Sequence, residues 1–127
     1  MNQTINNKKL LVVDDSKVSR MVIKARVKVV HPQWEILEAS TGDEGIALAL
    51  EQSPDYCTMD INMPGILGTD AAEQILSKLP NLRMVIFSAN IQEAFQERTK
   101  NMGALFVAKP VTEKSIAEAL RYFTESA

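Results

Sequence analysis

Five residues of this 127-residue chain stand where chemistry is easiest to assemble: Asp14, Asp15, Asp60, Ser88 and Lys109. Each closes, or directly follows the residue closing, a short apolar run: Leu10-Leu11-Val12-Val13, Tyr56-Cys57-Thr58-Met59, Met84-Val85-Ile86-Phe87 and Leu105-Phe106-Val107-Ala108. If those runs are parallel strands of one sheet, their polar terminators collect at one edge, where ligands of such sheets bind. Three carboxylates gathered there repel one another and raise each other's pKa unless cations neutralise them. One lysine leaves two negative charges unmatched, so an oxygen-seeking dication such as Mg²⁺ is the natural complement. With that charge balanced, one carboxylate can act as a nucleophile toward a phosphoryl group, a reaction that asks mainly for positioning and charge neutralisation. The metal would take one phosphoryl oxygen, the Lys109 ammonium a second, and the Ser88 hydroxyl with backbone N–H groups the third. Asp60 is the favoured nucleophile, because it ends a central run and precedes the Gly/Pro loop Asn62-Met63-Pro64-Gly65, which can expose backbone amides. Asp14 and Asp15 read as metal holders. An isolated Asp-Asp or Lys-Pro after a strand is ordinarily a cap or a turn; the joint occurrence carries the reading.

The elements that must hold these groups are legible as alternation. A further strand with Ile36 and Leu37 lies between Trp34 and Ala39, giving five apolar runs. Between them come amphipathic stretches of helical period. Val18, Met21, Val22, Ala25 and Val29 form one face of a first helix, which His31-Pro32 ends. Thr41-Gly42-Asp43-Glu44 is a capping box opening a second helix through Ile46, Ala49 and Leu50, closed by Ser53-Pro54. Ala71, Ala72, Ile75, Leu76 and Leu79 give a third, stopped by Pro80. Ile91, Ala94, Phe95, Arg98 and Met102 give a thinner fourth face, with Gly103 at its end. Thr112 caps a fifth helix carrying Ile116, Ala119, Leu120 and Phe123. Strand–helix units repeated five times predict an α/β fold, a doubly wound parallel sheet with helices on both faces. With no linker, repeat or low-complexity stretch, one domain over residues 1–127 is expected, its core about 8–126.

Composition narrows the function. Fourteen Lys and Arg against 16 Asp and Glu leave a net charge of −2, without the basic surplus of a nucleic-acid binder. One cysteine and one histidine exclude an internal disulfide and a His/Cys metal cage. The polar residues 1–9 and the four-residue apolar run after them fit neither a signal peptide nor a membrane span, so a cytoplasmic setting is expected. Phosphate-binding glycine motifs of nucleotide sites are missing.

The motifs Leu-Val-Val-Asp14-Asp15-Ser, Met-Asp60-Ile-Asn-Met-Pro-Gly65, Phe-Ser88-Ala89 and Ala-Lys109-Pro110 together resemble the receiver domains of bacterial two-component response regulators, most of all the free-standing chemotaxis type. The resemblance spans residues 8–126 and implies a flavodoxin-like strand order 2-1-3-4-5. It implies that Asp60 is the phospho-acceptor for a histidine kinase or phosphotransfer protein. Mg²⁺ is then held by Asp15, Asp60 and the backbone carbonyl of Asn62, with Asp14 acting through water. Lys109 pairs with the phosphoryl group, and its bond to Pro110 is cis. Ser88 and Phe106 form the switch: the hydroxyl moves to the phosphoryl group, the aromatic turns inward, and the surface of the fourth helix, fifth strand and fifth helix changes. Phe106 stands where many chemotaxis-type members have Tyr, and Ser88 where Thr is frequent. Asn62 and Asn90 match positions that tune autodephosphorylation. The implied role is signalling through an unknown protein target, without an output domain, nucleic acid or membrane, and with no enzymatic activity beyond its own phosphorylation and dephosphorylation. Dimerisation on phosphorylation is left open. A phosphorelay intermediate or phosphate sink is the alternative; a phosphohydrolase or an unphosphorylated scaffold fits less well.

The remaining chemistry-bearing residues have plainer readings. Cys57 is a core hydrophobe, His31 a surface residue at a helix end, Trp34 a packing residue at the start of a strand. The methionines at 59, 63, 84 and 102 fill core or loops, and Glu93, Glu97, Arg98 and Lys100 make a solvated helix face open to a partner.

Overall fold

The structure, a computed structural model, describes residues 7–125. Strands β1 (Lys9–Val13), β2 (Glu35–Ala39), β3 (Tyr56–Met59), β4 (Arg83–Ser88) and β5 (Leu105–Ala108) alternate with helices α1 (Lys17–Val30), α2 (Gly42–Gln52), α3 (Gly68–Lys78), α4 (Glu93–Asn101) and α5 (Glu113–Glu125). All strand pairs are parallel, in the order β2-β1-β3-β4-β5. Both the expected alternation and the expected order are present. The residue at 126 lies outside the described residues, as does most of the polar amino-terminal stretch.

Successive side chains of a strand point to opposite faces, and the sheet uses this to fill two cores. Leu11, Val13, Cys57, Met59, Met84 and Ile86 face α2 and α3, meeting Ala49, Ala71, Ala72 and Ile75. Leu10, Val12, Tyr56, Val85, Phe87 and Val107 face α1 and α5, meeting Ile23, Val27, Ile116, Leu120 and Phe123. Strands covered on both faces can be apolar without alternation, which explains why β1 and β4 read as continuous runs. Cys57 is wholly buried, and burial pushes its thiol well above the ordinary range, so it is inert packing.

The predicted caps form. Thr41 accepts from the Glu44 N–H at 3.1 Å, and the Glu44 carboxylate accepts from the Ser40 N–H at 2.8 Å. Thr112 accepts from the Ser115 N–H at 3.1 Å, and Gly103 ends α4 at φ +82°, a backbone geometry that favours glycine.

Two helix faces differ from the sequence reading. In α1 the stripe of Val18, Met21, Val22 and Val29 is turned to solvent, with Val18 and Val29 about 70% exposed (69% and 71%), while Ile23 and Val27 are the buried pair. Arg20 lies on the same line as that pair: its Nε donates to Glu38 of β2 at 3.0 Å and its Nη1 to the Asp14 carbonyl, while Ile23 and Val27 pack into the core. The helix carries two apolar stripes, and periodicity alone does not choose between them. In α4, Ile91 precedes the helix and is exposed, Ala94 is exposed, and Arg98 faces α3, pairing with Asp70 and Glu73 and donating to the buried Thr69 at 3.0 Å. Phe95 and Met102 alone of the predicted face pack on the core, joined by the buried Thr99. His31 also differs: it is half-buried, its ring stacked on Trp34 at 4.0 Å.

Thr58 sits on β3 between Val12 and Val85, 3% exposed, and its hydroxyl has no hydrogen-bond partner among the described residues. An unpartnered buried hydroxyl costs stability that a methyl of the same shape does not. Thr58→Val should therefore stabilise the protein by about 1 kcal/mol, raising Tm by about 3–6 °C. Calorimetry checks this, and an unchanged or lowered Tm would show that the hydroxyl is satisfied.

Candidate functional site

Register brings the polar residues together. Val13 is level with Met59, Met59 with Ile86, and Ser88 with Ala108. The ladder then continues one residue past the strands: Asp14 N–H donates to Ala39 O at 3.0 Å, Asp60 N–H to Val13 O at 3.0 Å, and Lys109 N–H to Ser88 O at 2.9 Å. Asp14, Asp60 and Lys109 are thus held by the sheet's own hydrogen bonding just past the strand ends.

The side chains converge. Oxygens of Asp14, Asp15 and Asp60 lie within 4.8 Å of one another. Lys109 Nζ is 2.8 Å from Asp14 Oδ2 and 3.6 Å from Asp60 Oδ2. Asp14 and Asp60 are buried, while Asp15 is exposed. The other Asp14 oxygen accepts from the Ser16 N–H at 2.9 Å, and Asp60 Oδ1 accepts from the Ile61 N–H at 2.8 Å. Asp14 therefore has both oxygens engaged, and Asp60 keeps one oxygen facing a lysine that is already closer to Asp14.

Burial holds the Asp60 carboxyl above its ordinary pKa, and the charges of Asp14 and Asp15 push it further; Lys109 and the Ile61 N–H oppose this without cancelling it. Burial works against the Lys109 ammonium, but its hydrogen bond to Asp14 and the charges of Asp60 and Asp14 prevail, holding its pKa above the usual lysine value. A donor set made only of oxygens, with three carboxylates against one ammonium, matches a hard divalent cation such as Mg²⁺.

The other predicted residues surround this cluster. Ser88, 1% exposed, closes β4, and its Oγ accepts from the Asn90 N–H at 3.0 Å. Asn90 Nδ2 donates to Asn62 Oδ1 at 2.9 Å, a bridge from the loop after β3 to the loop after β4. Phe106 lies on β5, level with Ile86, half-buried against the α2–α3 core. The Lys109–Pro110 bond is cis.

Two contributors escape the sequence reading. Gly68 opens α3 so close to the site that a Cβ there would fall 1.6 Å from the Asp60 carbonyl oxygen, and its N–H donates to Ile61 O at 2.9 Å. Only glycine permits that approach; in sequence it looks like one more residue of a Gly/Pro loop. Arg20 holds the Asp14 carbonyl, and its signal is hidden inside the α1 periodicity.

Comparison with known proteins agrees with this geometry. Residues 10–121 match the family described as response regulator receiver domain. The chemotaxis protein CheY of Thermotoga maritima is 35% identical over 115 residues, covering 89% of this chain and 94% of that protein. The response regulator domain of Thermotoga maritima CheB superposes with a TM-score of 0.79 at 31% identity, covering 92% and 93% of the two chains. CheY in the CheX–CheY–BeF3–Mg²⁺ complex from Borrelia burgdorferi shares the fold, with a TM-score of 0.85 at 22% identity and coverage of 95% and 92%.

Because the folded-state pKa of Asp60 is raised, its ionisation opposes folding: the cost is absent below the ordinary carboxylate range and grows as pH rises through the folded pKa. Asp60→Asn leaves the Asp14–Lys109 pair intact and should stabilise the metal-free protein by about 1 kcal/mol at neutral pH. Urea unfolding in a chelator should show the gain shrinking toward pH 3.5; an equal gain at both pH values would contradict the assignment.

Proposed function

The chain belongs to the response regulator receiver domain family, and from that premise we propose that Asp60 accepts a phosphoryl group from a phosphohistidine of a partner kinase or phosphotransfer protein. The carrying observation is the meeting of Asp14, Asp15 and Asp60 around one lysine at the strand ends. An Asp60 oxygen attacks phosphorus as the donor's P–N bond breaks; the leaving imidazole takes up a proton, and an acyl phosphate remains on Asp60.

Asp15, Asp60 and the Asn62 backbone carbonyl would hold Mg²⁺, with Asp14, whose oxygens are already engaged, contributing through water. Bound there, the ion supplies the positive charge that a phosphoryl group needs beside carboxylates. The CheX–CheY–BeF3–Mg²⁺ complex, alike in fold, contains that ion, which supports the choice of metal. The Lys109 ammonium, 3.6 Å from Asp60 Oδ2, is within reach of a phosphoryl oxygen on that carboxylate. Ser88 accepts a backbone N–H through its oxygen and keeps its own hydrogen free to donate toward the new group.

A response follows if that donation pulls Ser88 toward Asp60. Ser88 and Phe106 sit on neighbouring strands, so the half-buried ring can move into space the hydroxyl leaves, altering the face of α4, β5 and α5. We read the protein as a single receiver domain in the cytoplasm that signals to another protein through that face; among the described residues no helix is long and apolar enough to cross a membrane.

Incubation with acetyl phosphate and Mg²⁺, followed by intact mass, should show one added phosphoryl group in the wild type and none in Asp60→Asn. Lys109→Ala should accept the group far more slowly. Rapid multiple turnover of a phosphoester, without a matching adduct, would replace the signalling reading with a hydrolytic one.

A further inference from the structure

Of the three carboxylates at the strand ends, two are held by contacts of their own and one is not. Asp14 has the Ser16 N–H at 2.9 Å and Lys109 Nζ at 2.8 Å, and Asp60 has the Ile61 N–H at 2.8 Å. Asp15 is exposed, and among the described residues no hydrogen bond or ion pair reaches its carboxylate, although an oxygen of it lies within 4.8 Å of oxygens of the other two. Its backbone alone aims it. A peptide group is planar, so whatever fixes the Asp14 carbonyl also fixes the Asp15 N–H and the direction in which the chain leaves toward the Asp15 Cα.

Arg20 fixes that carbonyl. Its Nη1 donates to the Asp14 backbone oxygen, which stands one residue past the end of β1. The guanidinium is not free to follow the loop. Its Nε donates to Glu38 of β2 at 3.0 Å, Glu38 is level with Val12 in the sheet, and the second Glu38 oxygen lies 3.4 Å from Lys24 Nζ. The Arg20 N–H in turn donates to Ser16 O at 3.1 Å, and the Ser16 Oγ caps α1 by accepting from the Ser19 N–H at 3.1 Å. With 15% of its side chain exposed, Arg20 therefore joins β2, the first turn of α1 and the segment carrying Asp14 and Asp15. The planar fork of a guanidinium holds a carboxylate and a carbonyl at once, which a single ammonium cannot do in the same geometry. An ion pair near the surface contributes little by itself. What distinguishes this one is that its second arm lands on the peptide that carries Asp15.

We propose that Arg20 is a positioning residue of the metal site: by holding the Asp14–Asp15 peptide against the sheet, it aims the Asp15 carboxylate at a divalent cation shared with Asp60. This role rests on the proposed function, in which Asp15 and Asp60 bind Mg²⁺ directly. Positioning and charge act in opposite directions here. Removing a positive charge beside a cation site strengthens metal binding by Coulomb attraction alone, whereas removing a group that aims a ligand weakens it, by about tenfold for partners of this kind.

The test is Mg²⁺ titration of the unphosphorylated full chain, followed at the amide resonances of Asp15 and Ile61. It compares the wild type with Arg20→Met, Arg20→Lys and Lys24→Met, each first shown to be folded by its amide spectrum in a chelator. Both Arg20 variants should bind Mg²⁺ about tenfold more weakly. Lys24→Met removes a cation from the same Glu38 without touching Asp14, and should bind Mg²⁺ as tightly as the wild type or more tightly. Arg20→Lys keeps the charge and the stem, so it carries the comparison if Arg20→Met does not fold. Wild-type or tighter affinity in a folded Arg20 variant overturns the positioning role and leaves the metal site standing. An equal loss in Lys24→Met also overturns it, by moving the effect from the carbonyl contact to Glu38. No Mg²⁺ uptake by the wild type overturns this role together with the proposed function.

Discussion

The repulsion of three carboxylates around one ammonium is the constraint on which the rest of this structure depends. Left to themselves, Asp14, Asp15 and Asp60 would separate or take up protons. They are kept from separating because the backbone fixes two of them: Asp14 and Asp60 each donate an N–H into the parallel ladder, and Lys109 does the same from the other side of β4. Side-chain freedom is further removed by the Ser16 and Ile61 amides, which hold one oxygen of each buried carboxylate. Stability elsewhere, in two cores and five covered strands, offsets a locally unfavourable charge arrangement. That unfavourable balance is what makes the site responsive, since adding or removing charge there changes the energy of a rigid assembly rather than of a loose loop.

Much of this was legible in the residues. Parallel strands buried on both faces must be apolar runs, so their ends are visible as the first polar residue, and Asp14, Asp60 and Ser88 are found that way. Sequence period also located every helix. It failed where two answers satisfied one rule. In α1 both Ile23/Val27 and the Val18–Met21–Val22–Val29 stripe have helical spacing, and the choice between them goes with contacts to distant segments, the core packing of Ile23 and Val27 and the Arg20–Glu38 pair, that no local pattern contains. In α4 the apolar signal was thin because the helix is held partly by polar contacts, Arg98 with Asp70, Glu73 and Thr69. Gly68 was hidden for a different reason: its role is a distance to another segment's carbonyl oxygen, and only coordinates show distances between segments.

The misread stripe forms the outer face of α1. Val18, Met21, Val22 and Val29 stand in solvent on a helix that also carries Lys17, Arg20, Lys24, Arg26 and Lys28 and no acidic residue. The helix starts three residues after Asp14, and Arg20 binds the Asp14 carbonyl, so α1 is joined to the site through one guanidinium. In the proposed switch, the face of α4, β5 and α5 is reached differently, through Ser88 and its neighbour strand.

That second connection is narrow, and its narrowness has a consequence. Ser88 Oγ binds the Asn90 N–H, and the Asn90 side chain binds Asn62, which follows Asp60 by two residues. A hydroxyl that moves toward Asp60 must loosen its hold on Asn90, and Asn90 is tied to the loop that carries the acceptor. The Asn90–Asn62 bond thus joins the two loops, and Phe106 lies on β5 level with Ile86, two residues before Ser88 on β4. Under the proposed switch, two adjacent strands, one hydroxyl and one amide bridge are the only links that a charge at the sheet edge would need to reach the outer helices.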